Sequence, residues 1–165
     1  MFKIINSILM VIFIFFVGYL FGVKEVRFYE IISSSMEPTL NVNDKVVTVK
    51  KTSLPRKTIV MLKDPQISDE ILAKRIIGLP GEVVDIKNGK VYINGTLLNE
   101  PYIKEPPTYT NKWEIPPNSY FLLGDNRNLS EDSSVWGPIS EELIISKTIL
   151  KYWPFNEFKM VLNIR

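Results

Sequence analysis

The chain contains no histidine and no cysteine among its 165 residues. Those two absences together remove the Ser-His-Asp triad, the cysteine nucleophile and the usual zinc ligand sets. No disulfide can staple the fold, so the redox compartment is not readable from this feature. A dominant charge is lacking too: 20 Lys and Arg stand against 18 Asp and Glu, a formal net charge of +2. No long basic run marks a nucleic-acid footprint, and the scattered lysines read as a solvated mixed-charge surface. No nucleic acid, metal or cofactor is expected as a partner. Alanine occurs once, at Ala73. If such a chain does nucleophilic chemistry, a hydroxyl must be activated by a lysine or a carboxylate.

What the chain does have is a long apolar start. From Ile4 to Val23 there is no charged residue, and Lys3 and Lys24 bracket the run. Twenty residues at ~1.5 Å rise make a helix of ~30 Å, about one hydrocarbon thickness. Asn6 and Ser7 fall near one end of the span, and Tyr19 suits the opposite interface. The rival reading is a cleaved signal peptide, but the apolar core is too long and no small-x-small cleavage site follows. The expectation is an N-terminal transmembrane anchor helix over residues 1–25, in contact with the lipid bilayer, and a β-rich domain over 26–165. Orientation stays tied on charge, with the terminal amine and Lys3 facing Lys24 and Arg27 across the span.

The remainder reads as short strands separated by turn residues. Val26–Ile32 is rich in β-branched and aromatic residues, and Lys45–Lys50 alternates valine with polar residues. Thr58–Leu62 and Ile71–Ile77 follow, and Gly78-Leu79-Pro80-Gly81 breaks the latter. Glu82–Lys87 and Lys90–Ile93 flank Asn88-Gly89, a type I′ hairpin signal, and Asn94-Gly95 repeats it before Thr96–Leu98. Glu100–Pro117 carries five prolines and reads as an irregular excursion, with its role as lid, linker or decoration open. Ser119–Leu123 reads as a strand, 126–134 as a polar loop, and Ser140–Ile145 as a helical turn. Thr148–Trp153 and Phe158–Ile164 close the chain as strands. The pattern predicts an all-β, antiparallel domain.

Two features carry chemistry. Ser33-Ser34-Ser35-Met36-Glu37-Pro38 puts hydroxyls on a turn, which by itself is often only a capping turn. Lys74 lies within a strand among Ile71, Leu72, Ala73, Ile76 and Ile77. A lysine on a strand is commonly a surface residue, but desolvation in such company disfavours the ammonium and lowers its pKa. Tyr152-Trp153-Pro154-Phe155 suits either core packing or rest on a lipid surface.

Taken in order, four segments make the sequence recognisable. Ser33–Thr39 resembles the S-x-S-M-x-P-T box of bacterial type I signal peptidases, and Asp44-Lys45-Val46-Val47 looks like a second box. Lys74–Gly81 is similar to the family's K-R-(V/I)-(I/V)-G-L-P-G box. Gly124–Ser133 is similar to its G-D-N-R-x-x-S-x-D-S box and is followed by Trp136-Gly137. Four boxes in order behind an apolar span make a specific match.

The resemblance implies a membrane-bound serine endopeptidase that cleaves signal peptides from exported pre-proteins after small residues, through an acyl-enzyme. It implies Ser35 as nucleophile and Lys74 as general base, with Ser33 and the Ser35 N–H holding the oxyanion. Ser130 would orient the lysine, and Asp125 and Asp132 would be structural carboxylates, with Arg75 and Arg127 as ionic partners. It also implies a cytoplasmic N-terminus and an extracytoplasmic domain. One departure stands out: the family continues D-S-R where this chain has Asp132-Ser133-Ser134, so Asp132 must find another partner or sit in water. A specialised processing peptidase of one secretion or pilus system, or a silent binding module, are the alternatives. Oligomeric state and substrate list are not written in the sequence.

Overall fold

A computed structural model describes residues 9–13, 15, 18, 26–67 and 69–161. The anchor expected over residues 1–25 lies largely outside the described residues. Residues 9–13, 15 and 18 are helical, and among the described residues no helix is long and apolar enough to cross a membrane.

Mostly antiparallel β-sheet follows. The strands are β1 (Arg27–Glu30), β2 (Lys45–Lys50), β3 (Ile59–Lys63), β4 (Ile71–Gly78), β5 (Val83–Lys87), β6 (Lys90–Ile93), β7 (Thr96–Leu97), β8 (Asn111–Glu114), β9 (Ser119–Leu123), β10 (Ile139–Ser140), β11 (Ile144–Trp153) and β12 (Lys159–Met160). The larger sheet runs β1-β2-β11-β3-β4-β9-β10, with β12 added to β11; the smaller runs β7-β6-β5-β8. Every pairing among the described strands is antiparallel.

Three apolar clusters explain the sequence pattern. Ile76 and Leu122 enter one core with Val60, Leu62 and Ile144. Their neighbours Ile77 and Leu123 enter another, shared with Val84, Ile86 and Val91 of the smaller sheet. Strands β4 and β9 are thus covered on both faces, so they read as continuous apolar runs instead of alternating ones. A third cluster joins Ile31, Met36 and Leu40 to Val46 and Ile59. Burying Met36 completely contributes about 2 kcal/mol and pins the serine turn from below.

The Asn88-Gly89 hairpin forms as expected, with φ of +51° and +69°, the left-handed pair that a type I′ turn requires. Other boundaries differ from the pattern reading. Only Glu141–Leu143 makes a helical turn; β11 starts at Ile144, where pairing with Leu62 of β3 overrides local helix preference. The polar 126–134 stretch holds one short turn, Arg127–Leu129, and the start of another, Ser133–Trp136. At the C-terminus the strand is Lys159–Met160, and residues 162–165 lie outside the described residues.

Candidate active site

The serine turn begins where β1 stops. The Ile31 N–H donates to Asp44 O and the Asn43 N–H to Ile31 O, each at 2.8 Å, which closes the loop joining β1 to β2. Between them Ser34–Met36 forms a single 3-10 turn, capped by Ser33, whose Oγ accepts the Ser35 N–H at 3.1 Å. Ser35 is 6% exposed and Ser33 is exposed. Ser33 thus already holds the Ser35 N–H, while its own hydroxyl proton is free to donate.

Lys74 sits midway along β4 with Val60 as its cross-strand partner, only 2% exposed. Its Nζ donates to Ser130 Oγ at 3.0 Å. Burial holds the Lys74 pKa below the usual 10.5, against the opposing pull of Asp132, Glu131, Asp64 and Glu70. Desolvation outweighs four carboxylates because the ammonium cannot be hydrated there.

Gly124 joins the two halves. Its position leaves no room for a side chain: a Cβ would overlap Ser130 Oγ on one side and the Ser35 carbonyl on the other. Asn126 grips the serine turn, its N–H donating to Ser35 O at 3.0 Å and its Nδ2 to Ser34 O at 3.2 Å. Ser33, Ser35, Lys74 and Ser130 therefore converge, drawn from three distant segments.

Arg75, next along β4, leaves the opposite face of the strand. It forks onto Asp125 at 2.8 and 2.6 Å, and donates to Lys57 O at 2.8 Å and to Thr39 Oγ1 at 3.2 Å. Thr39 in turn donates to Asp125 at 2.5 Å. Asp132 is fully buried, and its two oxygens accept the N–H groups of Gly124 at 2.8 Å and Ser134 at 3.0 Å. Residue 134 serves through its backbone, so the loop is held without an arginine there. Arg127 pairs with Glu100 at 2.7 and 3.0 Å and not with Asp132. Sequence reasoning missed Glu100, Thr39, Tyr102 and Asn126; nothing in the proline-rich stretch marked Glu100 as more than a surface acid.

A shallow groove with a cavity of about 30 Å³ leads to Ser35, walled by residues 30–33 at and beyond the end of β1 and 70–73 at the start of β4, and lined also by Met36 and Met61. β9 pairs with β4 only from Arg75 onward, which leaves the earlier edge of β4 open to this groove. Among the described residues no three or more Asp, Glu, His or Cys side chains gather as metal ligands would.

A buried serine on a tight turn, packed through Gly124 against the loop that holds a dry lysine amine, is an arrangement suited to one class: hydrolases whose nucleophile is a serine. The chain belongs to the signal peptidase, peptidase S26 family, whose sequence profile matches residues 1–153. It is accordingly an enzyme, a serine endopeptidase of that family. Among its relatives, signal peptidase I of Leptolyngbya laminosa is 40% identical over 149 residues, covering 81% of this chain and 71% of the relative. Signal peptidase IB of Staphylococcus aureus strain COL is 32% identical, over 98% of this chain and 95% of the relative. A similar fold is seen in the crystal structure of a signal peptidase I from Enterococcus faecalis V583, with a TM-score of 0.54 and 30% identity over 58% of this chain and 97% of that one.

Proposed function

We propose that this protein is a membrane-anchored endopeptidase that removes signal peptides from exported pre-proteins with a Ser35–Lys74 dyad. The observation that carries the reading is the buried Lys74 amine, bonded to Ser130 Oγ at 3.0 Å beside the Ser35 turn. Neutral Lys74 takes the Ser35 proton as Oγ bonds to the scissile carbonyl carbon. Ser33 O–H and the Ser35 N–H, released from Ser33 Oγ, then donate to the oxyanion. The ammonium gives its proton to the leaving amine as the C–N bond breaks, which leaves an acyl-enzyme. Lys74 next deprotonates a water that attacks the ester and returns the proton to Ser35.

The groove supports an extended substrate. Four antiparallel steps separate β1 from β4, so both walls run in the same sense, towards the Ser35 and Lys74 end. A peptide between them would pair as an added strand and send alternate side chains into shallow pockets, consistent with small residues before the cut.

Residues 1–25 serve as the anchor and 26–165 as the peptidase domain, with the N-terminus cytoplasmic and the domain outside the cell membrane. Exposed Phe28, Trp153, Phe155 and Phe158 supply aromatic rings suited to the bilayer interface.

The test is cleavage of a synthetic pre-protein by the purified full chain across pH. Because only the neutral amine accepts the serine proton, kcat/KM should rise with pH and level off above the lowered Lys74 pKa, below the ordinary 10.5. No cleavage, or an acid limb at 10.5, would overturn the reading.

A further inference from the structure

The proline-rich excursion is a strap along the loop that carries Ser130. Asp125, Arg127 and Asn128 of that loop are bonded to it directly. The Glu100 carboxylate takes the Arg127 fork at 2.7 and 3.0 Å, and the two side chains are 6% and 0% exposed. Arg127 Nε in turn donates to Gly124 O at 3.0 Å. Tyr102 donates its hydroxyl to Glu100 at 3.0 Å, and its ring lies 4.0 Å from the Arg75 guanidinium that clasps Asp125. Further on, the Lys104 N–H donates to Asp125 O at 2.9 Å. Thr108 bonds Asn128 Oδ1 at 2.9 and 3.0 Å, and Asn128 Nδ2 returns a bond to Pro106 O at 3.0 Å.

We propose that Glu100 is a positioning residue for catalysis: through Arg127 and Tyr102 it fixes the Gly124–Ser130 loop, and so holds the Ser130 hydroxyl against the Lys74 amine. This rests on the peptidase reading given above. Glu100 joins two buried guanidinium groups, one by charge and one through an aromatic ring. Without its carboxylate Arg127 is a stranded internal cation, which relaxes only if the strap parts and water enters. The water that reaches Arg127 then reaches the Ser130 loop.

The sign of the pH effect separates positioning from charge. The acids that bear on Lys74 are Asp132, Glu131, Asp64 and Glu70; those facing Tyr109 and Arg127 on the strap side are Glu100 and Asp132. Deleting one acid by charge alone would make the Lys74 ammonium less favourable and move the acid limb down. Loosening the loop hydrates the amine and moves the limb up, towards the ordinary lysine value.

The experiment compares wild type with Glu100→Gln in the full chain, well below both melting temperatures. The expected result is kcat lower by about 10- to 100-fold, KM within about twofold, and an acid limb displaced upward. Faster amide exchange at Gly124 and Asn126 and partial recovery in Glu100→Asp are expected alongside. Wild-type kcat with an unmoved or lowered limb would overturn the proposal. Should Glu100→Gln not fold, Tyr102→Phe, which removes one bond to Glu100, must move kcat and the limb in the same directions; wild-type values there also overturn it. A wild-type protein that cleaves no pre-protein refutes the peptidase reading instead, and amide exchange in the folded variant then decides the positioning role alone.

Discussion

Lys74→Met is expected to lose cleavage by ~10⁴-fold or more while melting at a higher temperature than wild type. The loss follows from removing one member of the proposed Ser35–Lys74 pair, since single knock-outs in such units cost nearly as much as removing the whole unit. The gain in stability has an independent source. At neutral pH the unfolded chain hydrates its lysine freely, whereas the folded chain confines Lys74 at 2% exposure. Methionine fills similar space with no charge to desolvate, and half-buried Ser130 can recover its lost bond from water. The gain should be about 1–3 kcal/mol, or roughly 2–10 °C in Tm for a domain of this size. It should also depend on pH with a definite sign. Between the lowered folded pKa and 10.5 the unfolded chain holds a proton that the folded chain has released, so wild-type stability climbs with pH across that window. The Tm advantage of Lys74→Met should therefore be full below the folded pKa and vanish above 10.5. Thermal melts at pH 6 and pH 10.5 check this, and an equal advantage at both would contradict it. Ser35→Ala should match the loss of cleavage without the extra Tm, since a hydroxyl carries no comparable desolvation cost.

Gly124→Ala should bring activity down by ~10²- to 10³-fold through a single methyl group. The new Cβ would occupy space held by Ser130 Oγ and the Ser35 carbonyl at once. The backbone on either side cannot yield cheaply: Ser35 O is bonded to Asn126 N–H, and the Gly124 N–H to buried Asp132. The side chain free to swing is Ser130, and its movement breaks the bond to Lys74. A displacement of about 1 Å in a catalytic contact can cost 10²-fold, and here the contact is lost outright. Overpacking should also cost about 1–3 kcal/mol of stability. Kinetics and a thermal melt on the same preparation check both; wild-type kcat in this variant would mean that Ser130 does not act through its present position.

These effects divide along the line between what one strand encodes and what several segments build together. The valine alternation of Lys45–Lys50 and the Asn88-Gly89 turn fix their structures locally, and β2, β6 and β9 span the residues their patterns indicate. The dryness of Lys74 is legible as well, because apolar neighbours on both sides of a strand residue imply a strand covered on both faces. Glu100 is different. Its importance depends on Arg127, a partner 27 positions away, and on a strap whose prolines suppress any periodic signal. The first half of β11 was hidden for a similar reason: Glu141-Glu142-Leu143 favours helix, and only the pairing with β3 extends the strand back to Ile144.

Strand β11 has one more consequence. The serine turn hangs from β1 and β2, the lysine strand from β3, and within the sheet the ladder uniting the two pairs is β11, seated between β2 and β3. Because this suture is Ile144–Trp153 alone, loosening that one ladder is expected to let the serine turn and the lysine strand shift against each other as two flaps.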